Sequence, residues 1–286
     1  MSLPPDLLAT ILVLTSATLH ATWSAIIKQA DDKLAVSMVM SVAGAAVSLP
    51  FTAMVPLPDA HIGGLLAAST LVHMLYQRTL VWTLGRGDLT LVYPIARGSG
   101  PLFVTLFSLA ALGASIGVQD LSAIAIIVCG ILWTGLGQHR NPVAALATPG
   151  VGPALLCGML IATYTIIDGH AVRIAAHPFT YILWMNVVFG PAFLLAGLAE
   201  RRGRLLADMK ACWRMGFLVM VIAYTGYALA LLAFRHGGLA EVTALRETSI
   251  IFAACIGWIW LKEPFNRTKA VAVTMVAAGA VLLKAL

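Results

Sequence analysis

Two side chains of opposite charge, Arg97 and Glu247, stand 150 positions apart, each inside an otherwise apolar stretch. Arg97 belongs to Tyr93-Pro94-Ile95-Ala96-Arg97-Gly98-Ser99-Gly100-Pro101, where a charge and several helix breakers interrupt a hydrophobic run. Hydrocarbon tolerates neither unless protein or water surrounds it. The chemistry open to such a pair is ion pairing, proton uptake by the carboxyl, or exchange of one partner for a substrate carboxylate. A static bridge that locks two parts of the molecule together is the simpler alternative.

Three more charges, Arg78, Asp168 and Arg246, fall inside apolar stretches. Each costs roughly 2.5 to 3.5 kcal/mol at the centre of a membrane helix, so each calls for a partner or water. Arg246 points about 100° away from Glu247 on an ideal helix. Asp168 is its expected partner.

Helical spacing gathers polar and aromatic residues around these charges. His73, Tyr76 and Gln77 share a face at i, i+3 and i+4, as do Ser16, His20 and Trp23 on an earlier segment, Tyr164 with Asp168, and Tyr224 with Tyr227. Together they describe an amphipathic cavity with aromatic walls, suited to a small zwitterion or anion. The expected substrate-binding set is His20, Trp23, His73, Tyr76, Gln77, Tyr93, Arg97, Tyr164, Tyr224 and Arg246, with Asp168 and Glu247 as coupling or gating groups. Taken singly, each aromatic reads more simply as interfacial belt or helix packing. Pro94, Gly98, Gly100 and Pro101 give either a kinked, substrate-lining helix or a surface for close helix approach.

The elements that must position these residues follow from composition. With 60% hydrophobic residues, 10% charged and a mean hydropathy of +0.93 over 286 residues, no water-soluble core could bury the apolar surface. Apolar segments bounded by charges, prolines and glycines fall at 7–28, 34–56, 61–84, 89–112, 118–137, 152–173, 178–199, 213–234, 239–261 and 266–286. Each is near the roughly 20 residues that span a bilayer. The expected fold class is therefore an all-α integral membrane protein of ten transmembrane helices. At about 1.5 Å per residue, Arg97 and Glu247 both lie about 12 Å from the ends of their spans, near the midplane.

No inserted soluble domain is expected, and the first segment reads as a retained helix rather than a cleaved signal. Cys129, Cys157, Cys212 and Cys255 have no paired spacing and read as packing residues. The pI of about 9.4 does not point to nucleic acid, because the basic residues are distributed by side. Odd-numbered loops and adjoining helix ends carry twelve Lys and Arg, including Arg201, Arg202, Arg204, Lys210 and Arg214, against Arg173, Arg235 and Lys284 opposite. The positive-inside rule then puts odd loops in the cytoplasm and both termini outside.

The segment around Gly87-Asp88-Leu89-Thr90-Leu91-Val92 matches Gly237-Gly238-Leu239-Ala240-Glu241-Val242 at a spacing of 150, with His20 and Thr15 opposite His170 and Thr165. A repeat of five spans must be inverted, so residues 1–140 and 150–286 are expected as two five-helix repeats in one embedded unit. Inverted repeats of this kind belong to secondary transporters with a midplane site.

Those paired segments, the ten short-looped spans and Leu261-Lys262-Glu263-Pro264 resemble the drug/metabolite transporter superfamily, with the EamA-type permeases as the nearest fit. The resemblance implies transport of amino acids and other metabolites, or exchange of phosphorylated compounds. Leu112-Gly113-Ala114-Ser115 lacks the acid of the equivalent turn, so Glu263 reads as a turn or cap residue.

The expected protein is thus an inner-membrane permease of small polar metabolites, working by alternating access as an exporter, as monomer or homodimer. No cofactor is expected. No nucleotide loop or metal-ligand cluster occurs, so a proton gradient, exchange or downhill flow supplies the energy. An intramembrane lipid-modifying enzyme using His73 and Asp168 is the alternative from another class.

Overall fold

The computed structural model describes residues 4–201, 204–262 and 264–284, so Arg202 and Glu263 lie outside the described residues. Every regular element described is helical: α1 (Pro5–Lys28), α2 (Lys33–Phe51) with a 3₁₀ turn Thr52–Met54, α3 (Ala60–Leu84), α4 (Leu89–Ala110), α5 (Val118–Leu136), α6 (Pro142–Leu146), α7 (Val151–Ile174), α8 (Pro178–Arg201), α9 (Leu205–Ala211), α10 (Trp213–His236), α11 (Leu239–Arg246), α12 (Ser249–Ile259) and α13 (Arg267–Leu282). Among the described residues seven helical stretches are long and apolar enough to cross a membrane, α11 and α12 counting as one. Of the rest, α13 is short at 16 residues. The longer α3 and α4 are less apolar, for they carry His73, Gln77, Arg78, Pro94 and Arg97.

Local chemistry sets the helix starts. Asp32, Asp59, Asn141 and Asn266 each accept a hydrogen bond from the backbone N–H three residues on, at 2.8 to 3.1 Å. Each satisfies a donor that a helix start leaves unpaired, typically worth about 1 kcal/mol. Asn266, which forms a sequon with Arg267 and Thr268, is thus occupied as a helix cap.

The connections fall at two ends. At the basic end, Arg201 Nη2 donates to Asp32 Oδ1 at 3.0 Å, joining the α8 terminus to the α1–α2 turn. A Cβ on Gly87 would lie 3.3 Å from the Cα of Gly150, so the α3–α4 and α6–α7 connections also touch there. At the opposite end, Thr180 Oγ1 donates to the Pro56 carbonyl at 3.2 Å, Arg173 to the Phe234 and Gly237 carbonyls, and Gln119 to that of Leu282 at 3.1 Å.

The core differs between those ends. Toward the end holding the α13 terminus, one continuous cluster includes Val13, Ile62, Leu66, Tyr181, Phe234, Leu239 and Leu245. Toward the basic end the core divides into three smaller clusters, around Val92 and Ile95, Val36 and Val219, and Met38 and Phe193. The short α6 and α9, unmarked by any periodicity in the sequence, bury Ala145 and Leu205 in two of them. Between the three clusters the bundle is hollow.

Two helices depart from expectation in opposite senses. The ninth apolar segment, expected as one helix, breaks at Glu247 and Thr248, where the backbone makes i→i+3 bonds to Ala244 and Leu245. The Thr248 hydroxyl adds a 2.7 Å bond to the Leu245 carbonyl, so the turn stays satisfied without Gly or Pro. By contrast α4 runs unbroken through Pro94 and Pro101. Pro94 removes the donor that the Thr90 carbonyl would otherwise receive. Gly135 of α5 packs there, where an added Cβ would lie 3.0 Å from that oxygen.

Candidate functional site

The hollow is a cavity of about 340 Å³ between α1, α2, α3, α4, α7, α8, α10 and α11. It runs from Arg97 and Arg246 at mid-depth to Ile27 and Leu80, within about a turn of the basic end. All ten residues expected to contact substrate line it. α1 supplies His20 and Trp23, α3 supplies His73, Tyr76 and Gln77, and α4 supplies Tyr93 and Arg97. Tyr164 comes from α7, Tyr224 from α10 and Arg246 from α11.

The α2 and α8 walls were not anticipated. Ser41, Asn186 and Phe189 line the cavity from these helices. Asn186, the single amide within its apolar segment, was the available signal. Asn186 Nδ2 donates to Ser48 Oγ at 3.0 Å, which ties the two walls together.

His73, Tyr164, Tyr76 and Phe189 form one connected aromatic surface. The rings of His73 and Tyr164 stack at 3.9 Å and 26°, Tyr76 stands edge-on to Tyr164 at 5.9 Å, and Phe189 edge-on to His73 at 5.7 Å. Across the cavity His20 and Trp23 meet edge-to-face at 5.0 Å. His73 Nδ1 is 3.0 Å from the Ser69 carbonyl, which fixes the ring plane.

At mid-depth Arg97 Nη2 donates to both carboxylate oxygens of Glu247, at 3.2 and 3.4 Å. The expected ion pair is therefore present. Glu247 is 6% exposed and off the cavity wall, whereas the Arg97 side chain keeps 17% of its surface open. The broken ninth segment makes this possible: its turn puts Glu247 against α4 and leaves Arg246 on the cavity.

Asp168 is fully buried outside the cavity lining. It accepts hydrogen bonds from the hydroxyls of Ser69, Tyr181 (2.6 Å) and Tyr227, which bind α3, α8 and α10 to α7. The expected Arg246–Asp168 pair is not formed. Instead the Arg246 guanidinium lies 5.5 Å over the ring of Tyr227, whose hydroxyl reaches Asp168. Tyr227 stands between them because three hydroxyls already satisfy the carboxylate. Ser69 and Tyr181, unmarked by sequence pattern, complete the cluster.

Arg78 faces the outside of the bundle and is exposed. Six residues from the basic end of α3, it can extend its head toward the interface. Gly98 and Gly100 turn to packing, where added Cβ atoms would lie 3.0 Å from Ile131 and Ile161. The 150-residue register fails between α1 and α7: Thr15 is exposed and Thr165 buried, and His20 lines the cavity while His170 is exposed.

A multi-pass apolar bundle with an aromatic, charge-floored cavity and a discontinuous helix at mid-depth has the form of a membrane transporter. Residues 148–285 match the EamA-like transporter family, which is part of the drug/metabolite transporter superfamily. A solved structure titled "Crystal structure of protein" is similar at a TM-score of 0.69 and 13% identity, covering 97% of this chain and 96% of that one. At that identity the likeness is one of fold. No curated protein matches the sequence.

Proposed function

We propose that this protein is a secondary transporter of the inner membrane that exports small polar metabolites, such as amino acids or organic anions, by alternating access at the mid-depth cavity. The observation that carries the reading is the convergence of ten polar and aromatic residues from six helices on one cavity closed at one end. A binding site that reaches one surface and ends near mid-depth is half of an alternating-access cycle.

The reading treats the chain as ten spans in two inverted repeats, 1–140 and 150–286. Helix packing supports it, since α1 on α10 mirrors α7 on α3, and α4 on α7 mirrors α11 and α12 on α1. Burial supports it too: Val13, Ser16, Ala17 and Ala21 pair with Ile161, Tyr164, Thr165 and Gly169 at a spacing of 148. Between α4 and the ninth segment, Val92, Ile95 and Ser99 pair with Val242, Leu245 and Ser249 at 150. By the positive-inside rule the basic end is cytoplasmic and both termini are outside, so the cavity is loaded from within. Asp168 and Glu247 are the groups able to couple a proton to the cycle.

Uptake and counterflow in proteoliposomes test the reading against amino acids and organic anions, with and without a pH gradient. Saturable movement accelerated by the gradient fits a proton-coupled carrier, and movement accelerated only by substrate on the far side fits an exchanger. If no compound of the panel moves, the transporter reading fails.

A further inference from the structure

We infer that Arg246 is the anion receptor of the cavity and that the compound carried is a small organic carboxylate of net negative charge, in preference to a zwitterion or an amine. The inference rests on the transport reading above and narrows its substrate class.

Three charged side chains meet at mid-depth, and they do not cancel. Arg97 and Glu247 neutralise each other at 3.2 Å. Arg246 has no carboxylate within 4 Å among the described residues, and its buried Nε has no hydrogen-bond partner. Its contact is the face of Tyr227. A ring face attracts a guanidinium but accepts none of its directed N–H bonds, which a carboxylate takes two at a time.

Asp168 cannot supply that partner as packed. Its oxygens are taken by Ser69, Tyr181 and Tyr227, and the Tyr227 side chain occupies the path to Arg246. A guanidinium with unsatisfied donors at membrane depth is costly. The open route from the basic end lets a small anion reach it.

The same wall discriminates against amines. No Asp or Glu lines the cavity, so an ammonium group would meet hydroxyls, the Asn186 and Gln77 amides, the His20 and His73 imidazoles and ring faces, but no countercharge. A zwitterion would satisfy Arg246 with its carboxylate and leave its ammonium without a countercharge. The stacked His73 and Tyr164 offer a flat apolar surface for the carbon body of the anion.

The full chain in lipid nanodiscs is titrated by calorimetry with probes matched in body and different in charge. These are 3-phenylpropanoate, phenylalanine and phenethylamine, then propanoate, alanine and ethylamine. We expect at least one carboxylate to bind tenfold or more tightly than its zwitterion, with no heat from its amine. Arg246→Gln should lower that affinity tenfold or more and Arg246→Lys should restore most of it. Arg78→Gln, which removes a cation from the outside of the bundle, should keep both the affinity and the preference. Equal binding of the zwitterion, an unchanged carboxylate affinity in monodisperse Arg246→Gln, or no binding of either carboxylate overturns the inference. If Arg246→Gln does not fold, the wild-type charge series and Arg246→Lys decide.

Transport of the same probes in proteoliposomes separates the two readings. A carboxylate that binds through Arg246 but never crosses defeats the transporter reading and keeps the receptor. A carboxylate that crosses with the same KM in Arg246→Gln defeats the receptor and keeps the transporter.

Discussion

The two ends of the bundle are built from the same kinds of helix and packed in opposite ways. Toward the end holding the α13 terminus, a single cluster fills the interior and a buried carboxylate ties four helices through hydroxyls. Toward the basic end three separate clusters stand around a cavity, and Arg201, paired with Asp32 and Asp208, clamps the rim. The difference teaches where rigidity and function divide. Lipid is as apolar as a protein core, so close van der Waals packing and interhelical hydrogen bonds hold the filled half, while the hollow half gives up part of that packing to keep polar groups accessible.

The contrast can be broken most severely at the filled end. Asp168→Ala removes the acceptor shared by the Ser69, Tyr181 and Tyr227 hydroxyls, of which Ser69 keeps His73 Nδ1 at 3.3 Å, and each lost bond costs about 1 to 3 kcal/mol. We expect the largest fall in thermal stability of any single substitution here, read as the melting midpoint of purified protein. Tyr227→Phe removes one of these bonds and should lose about a third as much.

Next in size is the mid-depth pair. Removing Glu247 alone strands Arg97, a loss of about 3 to 5 kcal/mol for a buried pair. Glu247→Gln should therefore destabilise more than the double variant Arg97→Gln/Glu247→Gln. Equal destabilisation by the two would mean that water in the cavity already screens the pair.

Helix contact at the hollow wall comes third. A Cβ on Gly190 would lie 2.6 Å from the Ser41 carbonyl, so Gly190→Ala must push α8 away from α2, at about 1 to 3 kcal/mol. At Gly44 the obstacle is the Tyr224 ring, a side chain on the cavity wall. Gly44→Ala should leave stability closer to wild type and change ligand affinity instead.

The smallest effect belongs to the rim clamp. The Arg201 guanidinium and the Ala35 N–H hold the Asp32 carboxyl below its usual range. A lowered folded-state pKa contributes stability that is present above about pH 3.9 and is lost as pH falls through the lowered value. The pair is about one-third exposed, so its worth is at most about 1 kcal/mol. Asp32→Asn should lower stability by that amount at neutral pH and by nothing once pH is below the lowered pKa, which flattens the acid limb of the profile.

Much of the fold and site was legible because membrane helices expose their exceptions. Arg97, Glu247, Asp168 and Arg246 stand out in apolar runs, and helical spacing carried His73, Tyr76 and Gln77 onto one face. Tertiary contacts were not legible. Ser69 and Tyr181 look like ordinary helix residues, and only packing brings them to Asp168. Of the two readings of the α4 breakers, close packing holds for Gly98 and Gly100, and the helix continues through both prolines. The true break at Glu247 has no sequence mark, because i→i+3 bonds and the Thr248 hydroxyl satisfy it. The α6 and α9 helices are too short, at five and seven residues, to show a period.

The filled half also shapes the electric field. On the proposed transport reading, a water-filled cavity would carry the potential of one surface to mid-depth, and a transmembrane voltage would fall mainly across the packed half. A charge held beside Arg246 then has nearly the whole voltage still to cross, about 2.3 kcal/mol per elementary charge at 100 mV. For a negatively charged cargo leaving a cell with a negative interior, that drop is a driving force built into the shape of the protein.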